Sequence, residues 1–197
     1  MVARLLLIRH AAIDGNARSL LVGSSDVPAS PEGLAGLQRL APVLAGFQPE
    51  AWYSSPLRRA RQTCARLAEF CPAAGQAVVD ERLREIDFGR WEMKSFADIA
   101  GSEPELIAAW SEYSHFTFPE GEAVAAFHAR TAAILAELRA AAYREIAVVA
   151  HGGVIRTLIC QALGLSPRHY LLFDVRPGSL AVLDLHSEGA VLAGLNL

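Results

Sequence analysis

The sequence predicts an α/β fold, a three-layer α/β/α sandwich in which helices cover both faces of a mostly parallel sheet. Two continuous apolar segments, 5–8 and 146–150, lack the alternation of a half-exposed strand and are typical of strands buried on both faces. Helical patterns alternate with shorter strand candidates along the chain, as they do in α/β folds. The length of 197 residues suits one domain with a proper core, and we predict a single domain over 1–197.

The other elements follow from local signals. Ser30 and Pro31 begin a helix, because a serine N-cap followed by proline suits a first helical turn. A second Ser-Pro pair at 55–56 begins a helix that runs to about Phe70. Segment 81–120 is irregular and aromatic, which indicates an insertion or cap over the sheet edge. The chain ends with a long helix over 121–142, a helix over 154–163, and strands over 179–185 and 190–197.

Composition and charge argue against several functions. The net charge of −3 is unlike that of a nucleic-acid-binding protein, which normally carries a basic excess. The chain has no apolar run of membrane-spanning length and no basic and apolar leader after Met1, so we predict a cytoplasmic protein without a membrane partner. The three cysteines lack the spacing of a disulfide framework or a zinc site.

Two histidines directly follow the two apolar strands. If both strands are parallel members of one sheet, His10 and His151 leave it at the same edge, where α/β folds bind ligands. Arg9 lies beside the first histidine, and Arg58 lies in the first turn of the second Ser-Pro helix. The amides at 152–153 open a helix and can bind an anion. Each feature also has a structural interpretation, as a boundary histidine, a surface arginine or a tight turn, and only their joint placement predicts a phosphate pocket.

The chain resembles the histidine phosphatase family, which has the phosphoglycerate-mutase-like fold. The resemblance lies in five segments that run in order along nearly the whole chain. They are LIRH at 7–10, SSPLRRARQT at 54–63, LREIDFGRWE at 83–92, FPEGE at 118–122 and VAHGG at 149–153.

The resemblance implies a covalent mechanism and a role for each matching residue. His10 would be the nucleophile that forms a phosphohistidine, and Arg9, Arg58 and His151 would hold the phosphoryl oxygens. Independently of the resemblance, Arg59 and Arg61 are interpreted as surface residues. Glu85, preferred to Asp87, would be the general acid and base. The predicted substrate contacts are Asn16, the amide of Gly23 and Gly152, and Glu122 would orient pocket residues or stabilise a helix N-terminus. No metal and no cofactor is predicted.

Departures from the family pattern concern the substrate more than the chemistry. Ala11 and Ile13 stand where the family usually has glycine and a hydroxyl residue, and Met93 follows Trp-Glu where glycine is usual. Residues 95–120 contain no lysine or arginine. This segment would repel a second phosphate, because it carries five acidic residues, Asp98, Glu103, Glu105, Glu112 and Glu120.

These features favour a phosphomonoesterase for a small phosphorylated metabolite with an apolar or aromatic part. The first loop resembles that of alpha-ribazole phosphatases, which implies alpha-ribazole 5'-phosphate as one candidate, and a broad-specificity phosphatase is the other. A phosphoglycerate mutase and a non-catalytic phosphate-binding module are the alternatives. The sequence leaves the oligomeric state open, a homodimer included.

Overall fold

A six-stranded sheet forms the centre of the computed structural model, which describes residues 3–17, 19–110 and 115–197. Its strand order is β3-β2-β4-β1-β5-β6. The first four strands in this order are parallel to one another, β5 pairs antiparallel with β1, and β6 pairs antiparallel with β5. The mostly parallel sheet predicted from the sequence is therefore confirmed. The strands are β1 Ala3–Arg9, β2 Ala51–Ser54, β3 Val78–Val79, β4 Glu145–Ala150, β5 Leu180–His186 and β6 Gly189–Gly194.

The register of β1 against β4 determines where the two histidines lie. The strands pair in parallel with Arg9 opposite Ala150, so the next residue of each strand, His10 and His151, leaves the sheet beside the other. Both strands lie in the middle of the sheet and are buried on both faces. A strand held from all sides positions the side chain at its end more precisely than a loop can.

Helices cover both faces of the sheet, which confirms the three-layer sandwich. Alternate residues of β1 enter two separate cores: Leu6 and Ile8 pack with the helices of one face, and Leu5 and Leu7 with those of the other. The first face carries α1 Pro31–Gly36, α2 Ala41–Leu44 and α3 Arg58–Leu67. The second carries α6 Val124–Ala140 and α7 Gly152–Ala162.

The helix that Ser30 begins is not continuous. The Ser30 hydroxyl accepts the amide of Gly33, as an N-cap should. The chain then passes through a 3-10 segment, Leu37–Leu40, before α2. Pro42 explains the change, because its ring has no N–H and clashes with the carbonyl four residues earlier in an α-helix.

Segment 81–120 contains α4 Phe96–Ser102 and α5 Pro104–Trp110 and packs through its aromatic side chains. Trp91 is fully buried, stacks on Phe116 at 5.6 Å between ring centroids, and belongs to the core that α6 and α7 share. Gly89 packs closely against the backbone of residues 119–121. Its φ is +56°, and a Cβ there would lie 2.1 Å from the carbonyl oxygen of Pro119, so only glycine fits.

Within the described part of the chain, every helix is too short or too polar to cross a membrane.

Candidate active site

His10 and His151 lie side by side at the end of the two central strands. Their ring centroids are 5.0 Å apart, and the residues are 5% and 0% exposed. The two apolar strands predict both histidines at one edge of the sheet, and the structure brings them together there.

The hydrogen bonds of the two rings assign their protons. His10 Nδ1 lies 2.7 Å from the carbonyl oxygen of Ala11, which can only accept, so Nδ1 carries the proton and Nε2 keeps its lone pair. His151 Nδ1 accepts from Arg59, so its Nε2 donates to the Ser55 hydroxyl at 2.7 Å. An unprotonated His10 Nε2 is the form that can attack an electrophile.

The arginine beside the histidines is Arg59. Its Nε lies 3.3 Å from His10 Nε2 and 3.2 Å from His151 Nδ1, and the residue is 1% exposed. Its two Nη groups each donate at 2.7 Å to backbone carbonyls, those of Ser25 and Gly23. The guanidinium is thus held by the protein on one side and faces the imidazoles on the other.

The predictions for Arg58 and Arg59 are therefore wrong. Arg58 is exposed, and its contact with the neighbouring loop is made by its backbone amide, which donates to Asp26. The reason lies in the phase of α3, since successive side chains on a helix point about 100° apart. Arg59 shares its side of the helix with buried Thr63, four residues on, whereas Arg58 points outward.

Arg9 supplies a second cation with an unused donor. Its Nη1 donates to the carbonyl of Val175 at 2.6 Å, whereas its buried Nε has no hydrogen-bond partner among the described residues. Leaving a buried donor unpaired costs about 1–3 kcal/mol, so an anion that accepted this N–H would be stabilised. Gly152 packs against this guanidinium, and a Cβ there would lie 3.2 Å from Arg9 Cζ.

Glu85 closes the site from the side of α7. Its Oε2 accepts the amide of Gly153 at 2.8 Å, and its Oε1 accepts the amide of Ile86. Glu85 lines the same cavity as His10, Arg9 and Arg59. Asp87 bonds instead to the amide of Gly89 and is not part of this lining, which agrees with the preference for Glu85.

Glu122 supports the Glu85 segment through Arg130. The two side chains form a bidentate ion pair at 2.7 and 2.9 Å. Arg130 also donates to the carbonyls of Arg82, Arg84 and Glu85, which fixes the backbone that presents Glu85. Of the two roles expected for Glu122, the structure favours orienting pocket residues.

The two substrate contacts predicted in the first loop are absent from the cavity lining. The amide of Gly23 donates to Glu92 at 3.0 Å and so is not free for a substrate, contrary to the prediction. Asn16 is exposed in the 3-10 turn Gly15–Ala17, and its neighbour Ala17 is the residue that lines the cavity. Sequence reasoning missed Glu92 altogether, although it is part of the third matching segment.

Two cavities meet at Glu85. The first, of about 320 Å³, is lined by the candidate residues described above together with the apolar side chains of Ile13, Leu20 and Val22. The second, of about 190 Å³, is bounded mainly by large apolar side chains, with Arg156 as the cation of its lining. Its aromatic residues are Phe88, Trp110, Phe118, Phe127 and Tyr170. Among the described residues, no three histidine, cysteine or acidic side chains cluster as metal ligands.

Burial and the neighbouring cations keep both histidines neutral. Burial is the largest cause that lowers the pKa of His10 well below 6.5, followed by the charges of Arg59 and Arg9. Burial and Arg59 likewise lower the pKa of His151 well below its ordinary value. Both imidazoles are thus uncharged at pH 7, with a proton on one nitrogen each.

These lowered pKa values predict that stability falls in mild acid. Below about pH 6.5 these two histidines are protonated in the unfolded chain but not in the folded protein. The free energy of unfolding therefore rises with pH up to about 6.5 and then levels off. The slope should reach about 1.4 kcal/mol per pH unit for each histidine. Urea unfolding between pH 5.5 and 7.5 measures it, and His10→Gln should reduce the slope. An identical slope in this variant would contradict the assignment.

The fold and the site together define an α/β protein with two buried histidines, two arginines and a glutamate at one end of its central strands. Comparison with known proteins identifies the family: residues 5–197 match the sequence profile of the histidine phosphatase superfamily, branch 1, and the chain belongs to that family. The family and fold inferred from the five motifs are thereby confirmed.

Relatives with similar identity carry different substrate names. The chain is 31% identical to the adenosylcobalamin/alpha-ribazole phosphatase of Escherichia coli over 98% of this chain and 95% of that protein. It is 34% identical to the glucosyl-3-phosphoglycerate phosphatase of Mycobacterium tuberculosis over 82% of this chain and 76% of that protein. The crystal structure of the alpha-ribazole phosphatase from Shigella flexneri matches with a TM-score of 0.85 and 29% identity, over 98% of this chain and 96% of that one. These relatives are phosphatases by name, consistent with a phosphoric monoester hydrolase.

Proposed function

We propose that the protein hydrolyses small phosphomonoesters through a phosphohistidine at His10 Nε2. The observation that carries the proposal is the hydrogen bond from His10 Nδ1 to the Ala11 carbonyl, which leaves Nε2 unprotonated within a cavity that also contains Arg9, Arg59 and Glu85. In the first step Nε2 forms a bond to phosphorus, and the ester P–O bond breaks. In the second step a water oxygen attacks phosphorus, the N–P bond breaks, and His10 returns to its neutral form.

Arg9, Arg59 and His151 serve the phosphoryl group in both steps. Charge is spread over the three equatorial oxygens during transfer, and donors fixed in advance stabilise it without reorganisation. The unpaired Nε of Arg9 is such a donor. Arg59 is held by hydrogen bonds from its Nη groups, and its Nε–H, which bonds His10 Nε2 in the free enzyme, becomes available when this nitrogen bonds to phosphorus.

Glu85 moves the proton that each step requires. In its protonated form it donates to the departing alkoxide, and as a carboxylate it then accepts a proton from the attacking water. The amide of Gly153 holds Oε2 at the N-terminus of α7, and Arg130 holds the backbone behind it. Fixing this carboxyl from two directions suits a group that must meet the leaving oxygen in the first step and water in the second.

The walls around Glu85 favour an apolar or aromatic leaving alcohol. The leaving oxygen must lie next to Glu85, so its carbon substituent extends into the two cavities that this residue lines. Both have mainly apolar walls, and an apolar cavity of about 150 Å³ already holds a benzene ring. The 190 Å³ aromatic cavity is large enough for a substituted ring.

Charge in the cap segment argues against a phosphoglycerate mutase. Asp98 and Glu105 are exposed there, and Glu103 and Glu120 pair with Arg90, while Glu112 lies outside the described residues. A second phosphate would meet carboxylates there and Arg156 as the cation of the nearby cavity. A phosphate-binding module without turnover is also disfavoured, because His10 and Glu85, the proposed nucleophile and acid, line the same cavity. Alpha-ribazole 5'-phosphate, the substrate class named for two relatives, is the natural first candidate.

A substrate panel tests the proposal. Purified protein should release phosphate from p-nitrophenyl phosphate, alpha-ribazole 5'-phosphate and other monoesters without added metal, with higher kcat/KM for esters of aromatic alcohols than for phosphoserine. The same protein should isomerise 3-phosphoglycerate slowly or not at all, with or without bisphosphoglycerate. Fast isomerisation would replace the proposal by a mutase, and tight phosphate binding without turnover would replace it by a binding module.

A further inference from the structure

We propose that Glu92 is a positioning residue for Arg59: it holds the loop 23–25 so that two carbonyls of this loop fix the Arg59 guanidinium beside His10. The inference rests on the proposed function, since it assigns Glu92 to the same reaction. Glu92 does not line either cavity at Glu85, so it acts through Arg59 and not on the substrate.

The carboxylate of Glu92 is almost entirely committed to this loop. Its Oε2 accepts from the amides of Gly23 and Ser25 at 3.0 and 3.3 Å and from the Ser25 hydroxyl at 2.6 Å. Its Oε1 accepts from the amide and hydroxyl of Ser24 at 2.8 and 3.4 Å and from the amide of Phe88 at 3.0 Å. A carboxylate has about four lone-pair positions, so these donors exhaust its capacity.

The backbone of the loop turns inward at the same place to meet Arg59. The carbonyls of Gly23 and Ser25 each accept an Arg59 Nη group at 2.7 Å, while the amides of the same two residues donate to Glu92. Each of these residues therefore connects the carboxylate on one side with the guanidinium on the other. Arginine has long, flexible rotamers, and its restriction here depends on these two carbonyls.

Gly23 allows the close approach. A Cβ at this position would lie 2.4 Å from Glu92 Oε1 and 2.2 Å from the carbonyl oxygen of Ile86. Any side chain would push the loop away from Glu92 and shift the carbonyl that Arg59 uses. Glycine at position 23 therefore lets the loop pack against Glu92, as expected if the loop must hold the Arg59 guanidinium in one place.

The charge of Glu92 also offsets the burial of Arg59. Burial lowers the pKa of Arg59, and the charges of Glu85 and Glu92 oppose this effect. Glu85 faces the reacting group and changes its protonation during the proposed cycle, whereas Glu92 stays behind the arginine. An acidic side chain bound to the same loop as Arg59 opposes the effect of burial and so favours a cation next to the phosphoryl oxygens.

The test compares Glu92→Gln with Glu103→Gln. Glu103 is the matched control, because it is a carboxylate of the same cap region that bonds Arg90 and the Trp91 ring and does not contact the loop. In E92Q one carboxylate oxygen is replaced by an NH2 group, which cannot accept from the loop N–H and O–H groups, and the negative charge is lost. We expect kcat for p-nitrophenyl phosphate to fall by about tenfold to hundredfold, with a smaller change in KM, because Arg59 serves the transition state more than the ground state. In E103Q both constants should stay within about twofold of the wild type.

A titration of the His10 imidazole by NMR separates positioning from general loosening. Arg59 lowers the pKa of His10, so a guanidinium that moves away lets this pKa rise towards 6.5. The upward shift should occur in E92Q and in Gly23→Ala and not in E103Q. This readout does not depend on turnover, so it still decides the inference if the wild type hydrolyses no monoester and the proposed function fails.

Ser25→Ala is the second test variant, to be used if E92Q does not fold. This variant removes the 2.6 Å hydroxyl bond to Glu92 and keeps the carbonyl that Arg59 uses. A severalfold lower kcat with a raised His10 pKa would support the role of Glu92. An unchanged kcat and an unchanged His10 pKa in the folded E92Q or S25A protein would overturn it.

Discussion

Replacing His10 with alanine is expected to abolish hydrolysis of p-nitrophenyl phosphate. His10 lines the cavity with an unprotonated Nε2, whereas the Nε2 of the neighbouring His151 carries a proton and donates to the Ser55 hydroxyl. Removing the nucleophile of a covalent mechanism costs roughly 10⁴-fold or more in kcat. Steady-state kinetics measure this loss. When the protein is mixed with substrate labelled in its phosphate and quenched rapidly without acid, the wild type should carry labelled phosphate and His10→Ala should carry none.

The matched control is His186→Ala. His186 is also a histidine at the end of a strand, but it is exposed and lies at the opposite edge of the sheet, because β5 runs antiparallel to β1. Its removal should leave kcat and phosphoenzyme formation unchanged. The phosphoenzyme should be stable in alkali and labile in acid, as a phosphoramidate is. Activity retained in His10→Ala, or an absolute need for added metal, would refute the phosphohistidine mechanism.

The sequence predicts the central part of this fold because burial on both faces leaves a plain signal. The segments 5–8 and 146–150 are continuously apolar, and both are strands in the middle of the sheet. The positions of His10 and His151 follow from parallel pairing alone. The broken helix over 31–44 was less predictable, since the apolar stripe continues through a 3-10 segment and only Pro42 signals the interruption.

Side-chain detail at the site depends on helix phase and on distant contacts. The choice between Arg58 and Arg59 needed the phase of α3, and the pairing of Arg59 with Thr63 at i and i+4 beside the apolar stripe could have supplied it. The hydrogen bond from the Gly23 amide to Glu92 could not be predicted from the sequence, because the two residues are 69 positions apart. The cytoplasmic location remains a prediction from the sequence alone, and the oligomeric state stays open, a homodimer included.

The adjacent pair Arg58 and Arg59 provides the second large effect. We expect Arg59→Gln to lower kcat for p-nitrophenyl phosphate by about 10²–10³-fold, the usual cost of losing a donor to a developing anion. The change also removes a positive charge that lowers the pKa of His10. The His10 pKa should therefore rise, and the fraction of neutral nucleophile in mild acid should fall. The pH profile of kcat/KM should show an acid limb displaced to higher pH than in the wild type.

Arg58→Gln makes the same chemical change one residue earlier on the helix. Arg58 is exposed, and the bond it gives to Asp26 comes from the backbone amide, which glutamine retains. Its kcat should stay within about twofold of the wild type, as is usual for surface substitutions, and its pH profile should be unchanged. If Arg58→Gln lost activity and Arg59→Gln kept it, Arg58 and not Arg59 would be the arginine that serves the reaction. If both variants lost activity equally, the reaction would depend on the positive charge at the start of α3 and not on a hydrogen-bond donor that Arg59 holds in a fixed position.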